Sequence, residues 1–379
     1  MAKKILYIYG GLYSPNGMST MISQKINFLA EYTDYEVHIL LTEHPEKPWC
    51  YHLSDKVHVK CVELNFDDLD TIPFYKKVVH YWIKQRRSKR LITKHLLELR
   101  PEITVSVTRR EINFLNKIHD GSKKIAEIHF ARNFYRQFNK SFLPTFVNTF
   151  ISRMWMNSLI KNLKLLDRFV VLTDEDRNNW PELNNVVVIP NFVSSVSINK
   201  SDCMSKKVVA AGRYSYQKGF DLLIDAWELV YHKHPDWRLD IYGPGNNHAF
   251  QDIADKKHLT STLCCHSSVS DIIEKYVESS LFVLSSRYEG FGLVIVEAMG
   301  AGLPVVSFSC PCGPRDIIKE GVNGLLVESG DVQKLADKIC YLIEHDEQRI
   351  AMGKNAAESV DRYDKNTIMQ KWIDLFDSL

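Results

Sequence analysis

Short apolar runs of strand length alternate with stretches of helical periodicity along the chain. A continuous apolar run that ends in polar or glycine residues is typical of a strand buried in a parallel sheet. This alternation occurs twice over, so the pattern predicts an α/β protein built from two doubly wound domains. The predicted strands are Lys4–Tyr9, Tyr35–Leu41, Val57–Glu63, Ile103–Ser106, Lys124–Ile128, Arg168–Leu172, Val186–Ile189, Lys207–Ala211, Arg238–Tyr242, Leu263–Cys265, Leu281–Leu284, Pro304–Phe308 and Gly324–Val327.

Helical patterns fill most of the gaps between these runs. The predicted helices are Gly17–Tyr32, Tyr75–Leu99, Phe220–His234, Val269–Ser279, Val294–Met299 and Val332–His345. Pro190-Asn191-Phe192 and the polar stretch 194–206 indicate a linker, which divides the chain into domains 1–190 and 191–362. The last segment, 363–379, contains a predicted amphipathic helix, Lys365–Phe376, which we expect to pack back on the first domain.

Two carboxylates flank a glycine turn after the predicted strand Leu281–Leu284. Glu289 lies on the loop at the carboxyl end of the strand, where open α/β sheets bind ligands, and Glu297 falls in the second turn of the following helix. Carboxylates accept hydrogen bonds from hydroxyls, and the free N–H groups near Gly292 would bind an anion. The alternative is that Glu289 is an ordinary turn residue and Glu297 an ordinary helix residue.

A second loop carries two cations. Arg213 and Lys218 lie between Gly212 and Gly219, directly after the strand Lys207–Ala211. A guanidinium can bind two oxygens at once and an ammonium acts as a point charge, so together they suit a diphosphate. The alternative is a surface loop with two solvated cations.

Taken together, these residues resemble the retaining GT-B glycosyltransferases of family 4. The resemblance covers essentially the second half of the chain and is carried, in order, by Gly212-Arg213, Lys218-Gly219, Tyr242-Gly243-Pro244-Gly245, Glu289-Gly290-Phe291-Gly292, Glu297 and Gly302-Leu303-Pro304-Val305-Val306. It implies two Rossmann-like domains that face each other across a cleft, with a C-terminal helix that returns to the first domain. It also implies transfer of a hexosyl unit from a nucleotide-sugar with retention of configuration.

The resemblance implies a role for each matching residue. Arg213 and Lys218 would hold the donor diphosphate and stabilise the leaving group, Glu297 would bind the ribose, and Glu289 would contact the transferred sugar. The other donor-binding candidates in this half are Gly212, Gly243, Gly245, Ser268, Val269, Phe291, Gly292 and Leu293.

The first half matches the family more loosely. Gly10-Gly11 follows the first strand and Gly17 opens the next helix, so both could approach the diphosphate, although an ordinary βα turn explains them too. Asn16 stands where the family often has a glycine. His129 follows the predicted strand Lys124–Ile128, and the resemblance implies that it lies close to the transferred sugar, although a histidine at a strand edge is often only a satisfied polar residue. Arg109 and its neighbours could line the acceptor side.

Composition excludes some classes. The formal net charge of +2 argues against a nucleic-acid partner, and the N-terminus shows no signal peptide, so we expect a cytoplasmic protein. The eight scattered cysteines are expected to be reduced, and Cys310-Pro311-Cys312 lacks metal spacing. Asp68-Leu69-Asp70 is formally a DxD motif but is expected to be solvated. The resemblance implies a metal-independent enzyme, in which Arg213 and Lys218 neutralise the charge that a metal ion would otherwise carry, so we expect no metal and no cofactor.

Two segments combine basic and apolar residues. The stretch 76–100 carries nine Lys/Arg residues against one acid, and 142–166 carries several aromatic residues with Lys161 and Lys164. Such helices are typical of contact with an anionic membrane, here the inner face, but a solvated helix face explains them equally well.

The expected function is therefore a metal-independent hexosyltransferase that uses a UDP-hexose or UDP-N-acetylhexosamine and a saccharide or lipid-linked saccharide acceptor, in surface polysaccharide or glycolipid synthesis. A synthase that acts on a free small sugar, or a catalytically silent nucleotide-sugar-binding protein, remains an alternative. A dinucleotide-dependent dehydrogenase or epimerase would need a GxGxxG motif after the first strand, and Gly10-Gly11-Leu12-Tyr13 does not provide it.

Overall fold

The computed structural model describes residues 2–135, 144–193 and 199–379, apart from the side chains of Asp70, Phe74 and Tyr75. Parts of two predicted segments, 142–143 of the stretch 142–166 and 194–198 of the linker, lie outside the described residues. The chain forms two compact units. Unit 1 contains Met1–Leu172, Asp176–Ile189 and Met369–Leu379, and unit 2 contains Thr173–Glu175 and Pro190–Ile368.

Each unit contains one sheet, and every strand pair in the described residues is parallel. The strands of unit 1 are β1 (Lys4–Tyr9), β2 (Glu36–Leu41), β3 (His58–Cys61), β4 (Ile103–Ser106), β5 (Lys123–Glu127), β6 (Arg168–Val171) and β7 (Val186–Val188), in the order β3-β2-β1-β4-β5-β6-β7. The strands of unit 2 are β8 (Lys207–Ala211), β9 (Arg238–Tyr242), β10 (Leu263–His266), β11 (Leu281–Leu284), β12 (Val305–Phe308) and β13 (Gly324–Val327), in the order β10-β9-β8-β11-β12-β13.

Helices connect the strands. They are α1 (Gly17–Tyr32), α2 (Phe74–Leu99), α3 (Thr145–Leu163), α4 (Asp174–Asn178), α5 (Phe220–Lys233), α6 (Asn247–Lys256), α7 (Ile272–Val277), α8 (Leu293–Gly300), α9 (Pro314–Ile317), α10 (Val332–Glu344), α11 (Asp346–Ser359) and α12 (Lys365–Asp377). Parallel strands joined by helices in this strand order form two Rossmann-like doubly wound sheets, as the alternation of apolar runs predicted.

The central strands are buried because helices cover the sheets. All four residues of β11 and of β12 are buried, and so are the inward-facing residues of β8 and β9. In unit 2, Trp227 of α5 is completely buried in the core cluster with Leu239 and Ile241 of β9. At about 25 cal/mol per Å² of apolar surface, a buried tryptophan is among the largest single contributions to such a core.

The C-terminal helix joins unit 1 through its second half. Trp372 is buried and its ring lies 3.8 Å from the ammonium of Lys25 in α1, while Phe376 packs edge-on against Tyr35. The hydroxyl of Tyr35 also donates a hydrogen bond of 2.7 Å to Asp377. The helix therefore returns to the first unit, as predicted.

The observed helices differ from the predicted ones in two ways. The helix predicted over Val269–Ser279 is shorter, Ile272–Val277, because the Asp271 side chain accepts from the N–H groups of Ile273 and Glu274 and so starts the helix later. Helices α4, α6, α9 and α11 lie in segments for which no helix was predicted. In the described residues, no helix has the length and apolar content needed to cross a membrane.

Candidate functional site

The carboxyl end of β11 leads into the loop that carries the first candidate carboxylate. The strand ends at Leu284, and helix α8 begins at Leu293 after Gly292, which adopts a φ of 88°. A residue with a side chain rarely adopts this left-handed conformation, so glycine permits the sharp entry into the helix. The Ile295 N–H donates to the Gly292 carbonyl at 2.9 Å. The other N–H groups of the first turn have no acceptor within the helix and are available to an anion.

Glu289 is buried on this loop and paired with Lys218. Its Oε1 lies 2.7 Å from the Lys218 Nζ and accepts a second hydrogen bond, of 2.6 Å, from the Ser286 hydroxyl. The side chains of both charged residues are largely buried. The resemblance placed Lys218 on a diphosphate and Glu289 on a sugar, and in the protein alone the two neutralise each other.

Several hydrogen bonds fasten the loop after β8 to the loop after β11. The Ser285 hydroxyl donates to the Lys218 carbonyl at 2.9 Å, and the Gln217 amide donates to the Tyr288 carbonyl at 3.0 Å. Gly219 adopts a φ of 62°, and a Cβ there would lie 2.2 Å from the Ser285 carbonyl oxygen. Only glycine allows the two loops to come this close, and their closeness places Lys218 beside Glu289.

Sequence reasoning missed a clamp beside this pair. The Arg287 guanidinium donates two hydrogen bonds to the Asp221 carboxylate, of 2.8 and 2.6 Å, and lies 4.1 Å from the centre of the Tyr216 ring. Arg287 lowers the pKa of Asp221, chiefly through these hydrogen bonds. These contacts hold the loop after β11 against the loop after β8 and the start of α5. The only sequence signal for this contact was the basic residue Arg287, two positions before the candidate Glu289.

Arg213 differs from Lys218. It is exposed, and it forms no ion pair or side-chain hydrogen bond with any residue that the structure describes. It follows Gly212 at the carboxyl end of β8. Its guanidinium is therefore available to an incoming anion at no cost of breaking an internal contact.

Glu297 of α8 has an unusual electrostatic environment. Burial raises the pKa of its carboxyl to about 7, against the opposing effect of the Lys218 charge. No residue in the described part of the chain donates a side-chain hydrogen bond to this carboxyl. Tyr276 lies near enough for Glu297 to add to the rise of its pKa, which burial causes in the main. The carboxyl is therefore an acceptor that a bound hydroxyl group can satisfy.

The neighbouring strand ends bring the remaining unit 2 candidates to the same edge of the sheet. Gly243 follows β9, and a Cβ there would lie 1.8 Å from the Gly212 carbonyl oxygen, so the two glycine turns touch. The Tyr214 hydroxyl donates toward the carbonyls of Ile241 and His266, at 2.7 and 2.9 Å, which ties the ends of β9 and β10 to the same loop.

The remaining donor-binding candidates of unit 2 differ in how exposed they are. Gly245 has a φ of 116° in the turn after β9, and Ser268 and Val269 are exposed on the loop after β10. Phe291 is buried against Tyr363, with ring centroids 5.4 Å apart, so only its backbone can meet a ligand. Leu293 is half-buried at the first position of α8.

In unit 1, the predicted glycines lie where β1 ends and α1 begins. A Cβ on Gly10 would lie 2.4 Å from the Arg109 Nη1, so this glycine admits a guanidinium close to the strand end. Gly11 approaches the Tyr13 ring and the Glu43 carbonyl in the same way. Sequence reasoning gave Arg109 only an acceptor role and missed its contact with Gly10.

Gly17 is the first residue of α1, and no atom lies within 4 Å of where its Cβ would be. The Asn16 side chain accepts a hydrogen bond of 2.9 Å from the Ser19 N–H, so this departure from the family pattern acts as a helix cap.

His129 ends a buried network. Its Nε2 lies 3.0 Å from the Glu127 Oε1, and the Lys25 ammonium binds the same oxygen. Burial alone would raise the pKa of Glu127, but the Lys25 and His129 charges lower it to about 2. Lys25, on the inward face of α1, is a residue that sequence reasoning missed, because helical periodicity placed only apolar partners there.

The DxD segment is held by the protein's own cations. Asp67 accepts a hydrogen bond of 2.7 Å from the Tyr13 hydroxyl and lies 3.8 Å from Arg109. Asp68 is half exposed and lies 3.4 Å from His44 and 3.7 Å from Lys84. The side chain of Asp70 is outside the described residues.

The family comparison covers the unit that holds most of these residues. Residues 195–359 match the family model described as "Glycosyl transferases group 1". This segment is therefore similar to that family. The carboxylates Glu289 and Glu297, the cations Arg213 and Lys218 and the glycine turns all lie within it.

Two relatives with named activities are similar to more than half of the chain. The chain is 31% identical over 225 residues to the poly(ribitol-phosphate) alpha-N-acetylglucosaminyltransferase of Staphylococcus aureus, which covers 58% of this chain and 46% of the relative. It is 32% identical over 222 residues to the amylovoran biosynthesis glycosyltransferase AmsD of Erwinia amylovora, which covers 56% of this chain and 62% of the relative. The chain therefore spans about half of the length of these relatives.

A solved structure matches the whole chain. TarM of S. aureus, in complex with fondaparinux, alpha-GlcNAc-glycerol and UDP, aligns with a TM-score of 0.73 at 18% identity, over 99% of this chain and 100% of TarM. At this identity the likeness shows the fold alone, which is a GT-B architecture of two Rossmann-like units.

Proposed function

We propose that this protein is a retaining, metal-independent glycosyltransferase that moves a hexosyl unit from a UDP-sugar to a hydroxyl of a saccharide or lipid-linked saccharide. The observation that carries the proposal is the set of charges at the carboxyl ends of β8 and β11. Three features lie at this edge of the unit 2 sheet. Arg213 is exposed and has no side-chain partner among the described residues, Lys218 is paired with Glu289, and the pKa of Glu297 is raised.

The donor diphosphate is assigned to the two cations. Arg213 binds it without losing an internal contact, and the Lys218 ammonium can donate to a phosphate oxygen while it remains beside Glu289, because an ammonium has three donors. The first-turn amides after Gly292 add further donors. The two cations supply the charge neutralisation that a metal ion would otherwise give, which supports a reaction without metal or cofactor.

The hydroxyl groups of the donor are assigned to the two carboxylates. Glu297 lacks an internal donor, and ribose hydroxyls can satisfy it. Glu289 uses Oε1 for Lys218 and Ser286, and its Oε2 is then the acceptor for a hydroxyl of the transferred sugar. Glu289 thus links the sugar to the cation that binds the leaving group.

The choice of UDP and of retention rests on the relatives. The TarM complex contains UDP, and the S. aureus relative is named as an alpha-N-acetylglucosaminyltransferase. An alpha product is what retention gives from an alpha-linked donor. We therefore favour a UDP-hexose or a UDP-N-acetylhexosamine.

The mechanism that fits these groups is departure and attack on the same face of the sugar. The bond from the anomeric carbon to the phosphate oxygen breaks, Arg213 and Lys218 stabilise the negative charge on the phosphate, and that phosphate accepts the proton of the attacking hydroxyl. In unit 1, His129 is assigned to contact with the transferred sugar, held in orientation by Glu127. Trapping a covalent glycosyl-enzyme would contradict this mechanism.

For the acceptor we favour a polymer of surface polysaccharide type. One relative is named for poly(ribitol-phosphate) and the other for amylovoran biosynthesis. Helices α2 and α3 support a lipid-linked acceptor at the inner face of the membrane. Trp82 and Ile83 of α2 and Phe146 and Phe150 of α3 expose 59–75% of their surfaces, and α2 is strongly basic. Each basic residue near anionic lipid contributes about 1 kcal/mol.

The test is a donor screen with purified protein, a panel of UDP- and GDP-sugars, thermal shift for binding and product analysis for hydrolysis. We expect a UDP-sugar to stabilise the protein and to be hydrolysed slowly without an acceptor. Glu297→Ala should weaken UDP binding by at least tenfold, and Glu289→Ala should mainly lower turnover. Wild-type binding and turnover in both variants would overturn the site assignment. UDP-sugar binding without any turnover would favour the silent-binder alternative.

A further inference from the structure

Three metal-ligating side chains meet at one edge of the unit 1 sheet, away from the candidate site. They are Glu36 and His38 of β2 and His58 of β3, and their ligand atoms all lie within 4.8 Å of one another. The His38 Nε2 lies 2.8 Å from the Glu36 Oε1, and the His38 and His58 rings lie 4.7 Å apart at an angle of 24°.

The backbone brings these groups together. Glu36 and His38 are two residues apart on one strand, so their side chains lie on the same face of the sheet. His38 is the direct partner of His58 in the parallel ladder between β2 and β3. The cluster therefore follows from strand register and not from a particular choice of rotamers.

Helix α2 covers this face and adds a fourth titratable group. His95 is buried, and its Nδ1 has no hydrogen-bond partner among the residues that the structure describes. It lies close enough to His38 for the charges of the two imidazoles to interact. A buried polar nitrogen without a partner costs about 1–3 kcal/mol, so this is a second indication that a group is to be bound here.

We propose that Glu36, His38 and His58 form a binding site for a divalent transition-metal ion of the zinc type. Two imidazoles and one carboxylate are a set that zinc uses in proteins, with bonds of about 2.0–2.2 Å. Ligand atoms in such a tetrahedral site are separated by about 3.3 Å, so small side-chain rotations from the present positions suffice.

Neighbouring cations limit the affinity. Lys4 pairs with Glu36 in the register of β1 and β2, and Lys60 follows His58 on β3. Lys60 is half exposed and Lys4 is partly exposed, so both ammonium groups can turn toward water when a metal binds. We therefore expect a dissociation constant in the micromolar range.

A second trio is less suitable. Asp240, Cys264 and His266 of unit 2 also place ligand atoms within 4.8 Å. The Asp240 Oδ1, however, already accepts hydrogen bonds from the Arg238 Nε at 2.9 Å and from His266 at 2.7 Å, so its charge is already compensated.

The proposed metal site is independent of the proposed reaction. Glu36 begins β2, whereas Gly10 and Gly11 follow the carboxyl end of the adjacent strand β1. Since β1 and β2 are parallel, the metal lies toward the opposite end of the sheet from the candidate ligand loops.

The experiment uses the full chain after removal of any affinity tag and of metal by EDTA. Zinc binding is measured by calorimetry and by competition with a chromogenic chelator, and Co²⁺ absorption reports the coordination geometry. Wild type should bind one equivalent of zinc with a rise in its unfolding temperature. His38→Ala and His58→Ala should lose that equivalent, with affinity at least tenfold weaker, and should show no rise.

His80→Ala, an exposed histidine of α2, is the matched control and should bind like wild type. His58→Ala, on the exposed edge strand, carries the test if His38→Ala fails to fold. Unchanged zinc affinity in both cluster variants, or loss of the equivalent in Cys264→Ser instead, would overturn the proposal. So would the absence of micromolar zinc binding by wild type.

Discussion

The Lys218 ammonium lies 2.7 Å from the Glu289 carboxylate although the two residues are 71 positions apart in the chain. The pair joins the loops that follow two neighbouring strands of the unit 2 sheet, β8 and β11. Arg213, by contrast, has no side-chain partner among the described residues, so it can bind a ligand without breaking an internal contact.

Lys218→Met should destabilise the protein by about 1–3 kcal/mol, since it leaves the buried Glu289 charge with only Ser286 as a side-chain partner. The double variant Lys218→Met/Glu289→Gln should recover most of this loss. The measurement is the free energy of unfolding in urea. Lys233→Met, which breaks an exposed pair with Asp337, is the control and should cost at most about 0.5 kcal/mol. Equal losses in the two lysine variants would contradict the burial argument.

Gly219→Ala should cost about 2–5 kcal/mol. A methyl group there meets the Ser285 carbonyl, and the residue also has to keep a left-handed φ. Gly321→Ala shares the positive φ, 74°, but has no atom within 4 Å of the new Cβ, so it should cost only about 1 kcal/mol. Chemical denaturation of both variants separates backbone strain from steric clash. Equal losses of unfolding free energy in the two variants would contradict the steric clash at Gly219.

The pH dependence of stability should reveal Glu297. Its folded pKa of about 7 lies above the ordinary value of about 4.3, so the folded state holds the proton between these values more tightly than the unfolded state does. The contribution to stability is present below about pH 4 and is lost as the pH rises to 7. Relative to Glu297→Gln, wild type should lose on the order of 2 kcal/mol between pH 4.5 and 8. If the free energy of unfolding changed by the same amount in wild type and in Glu297→Gln between these pH values, the pKa of Glu297 would not be raised.

Lys25→Met should be more damaging than the loss of a surface lysine. It leaves the Glu127 charge buried and removes the cation that lies 3.8 Å from the Trp372 ring. The expected loss is about 3–5 kcal/mol, and Lys25→Met/Glu127→Gln should regain a large part of it. Guanidinium unfolding provides the measurement, with Lys3→Met as the exposed control on the same C-terminal helix contact. No recovery in the double variant would show that packing, and not the buried charge, causes the loss.

Membrane contact through α2 and α3 predicts co-sedimentation with vesicles rich in anionic lipid and release at high salt. Trp82→Ser/Phe146→Ser should reduce the bound fraction severalfold, because two exposed apolar side chains are removed. Tyr32→Ser, at an equally exposed aromatic residue of α1, should leave it unchanged. Binding that is equal for neutral and anionic vesicles would contradict the proposed role of the basic face.

Much of the fold could be predicted because apolar runs report burial directly. β1, β4, β8, β9, β11 and β13 match their predicted ranges, since strands buried by helices on both faces need unbroken apolar sequence. Helices α6 and α11 were not predicted. Helix α11 has almost no amphipathic pattern, and the exposed, polar α6 buries only Ala254.

Side-chain partners were less predictable than elements. Lys25 of α1 looked like part of an amphipathic face, and its ion pair with Glu127 depends on how α1 packs over β5, which local sequence does not report. The Arg287–Asp221 clamp is a similar case, since its two residues are 66 positions apart.

The sequence by itself determined the alternation of buried strands and helices and the glycine turns at the strand ends. It also determined the positions of Arg213, Lys218 and Glu289 on the loops at those ends and of Glu297 in the following helix. These features follow from local backbone preference and from the hydrophobic period, which operate over a few residues. Only the tertiary structure decided that Lys218 pairs with Glu289, that burial raises the pKa of Glu297 to about 7, and that Glu36, His38 and His58 converge. Each of these depends on strand order and register, because parallel pairing brings together residues that are distant in the chain and removes water from around them.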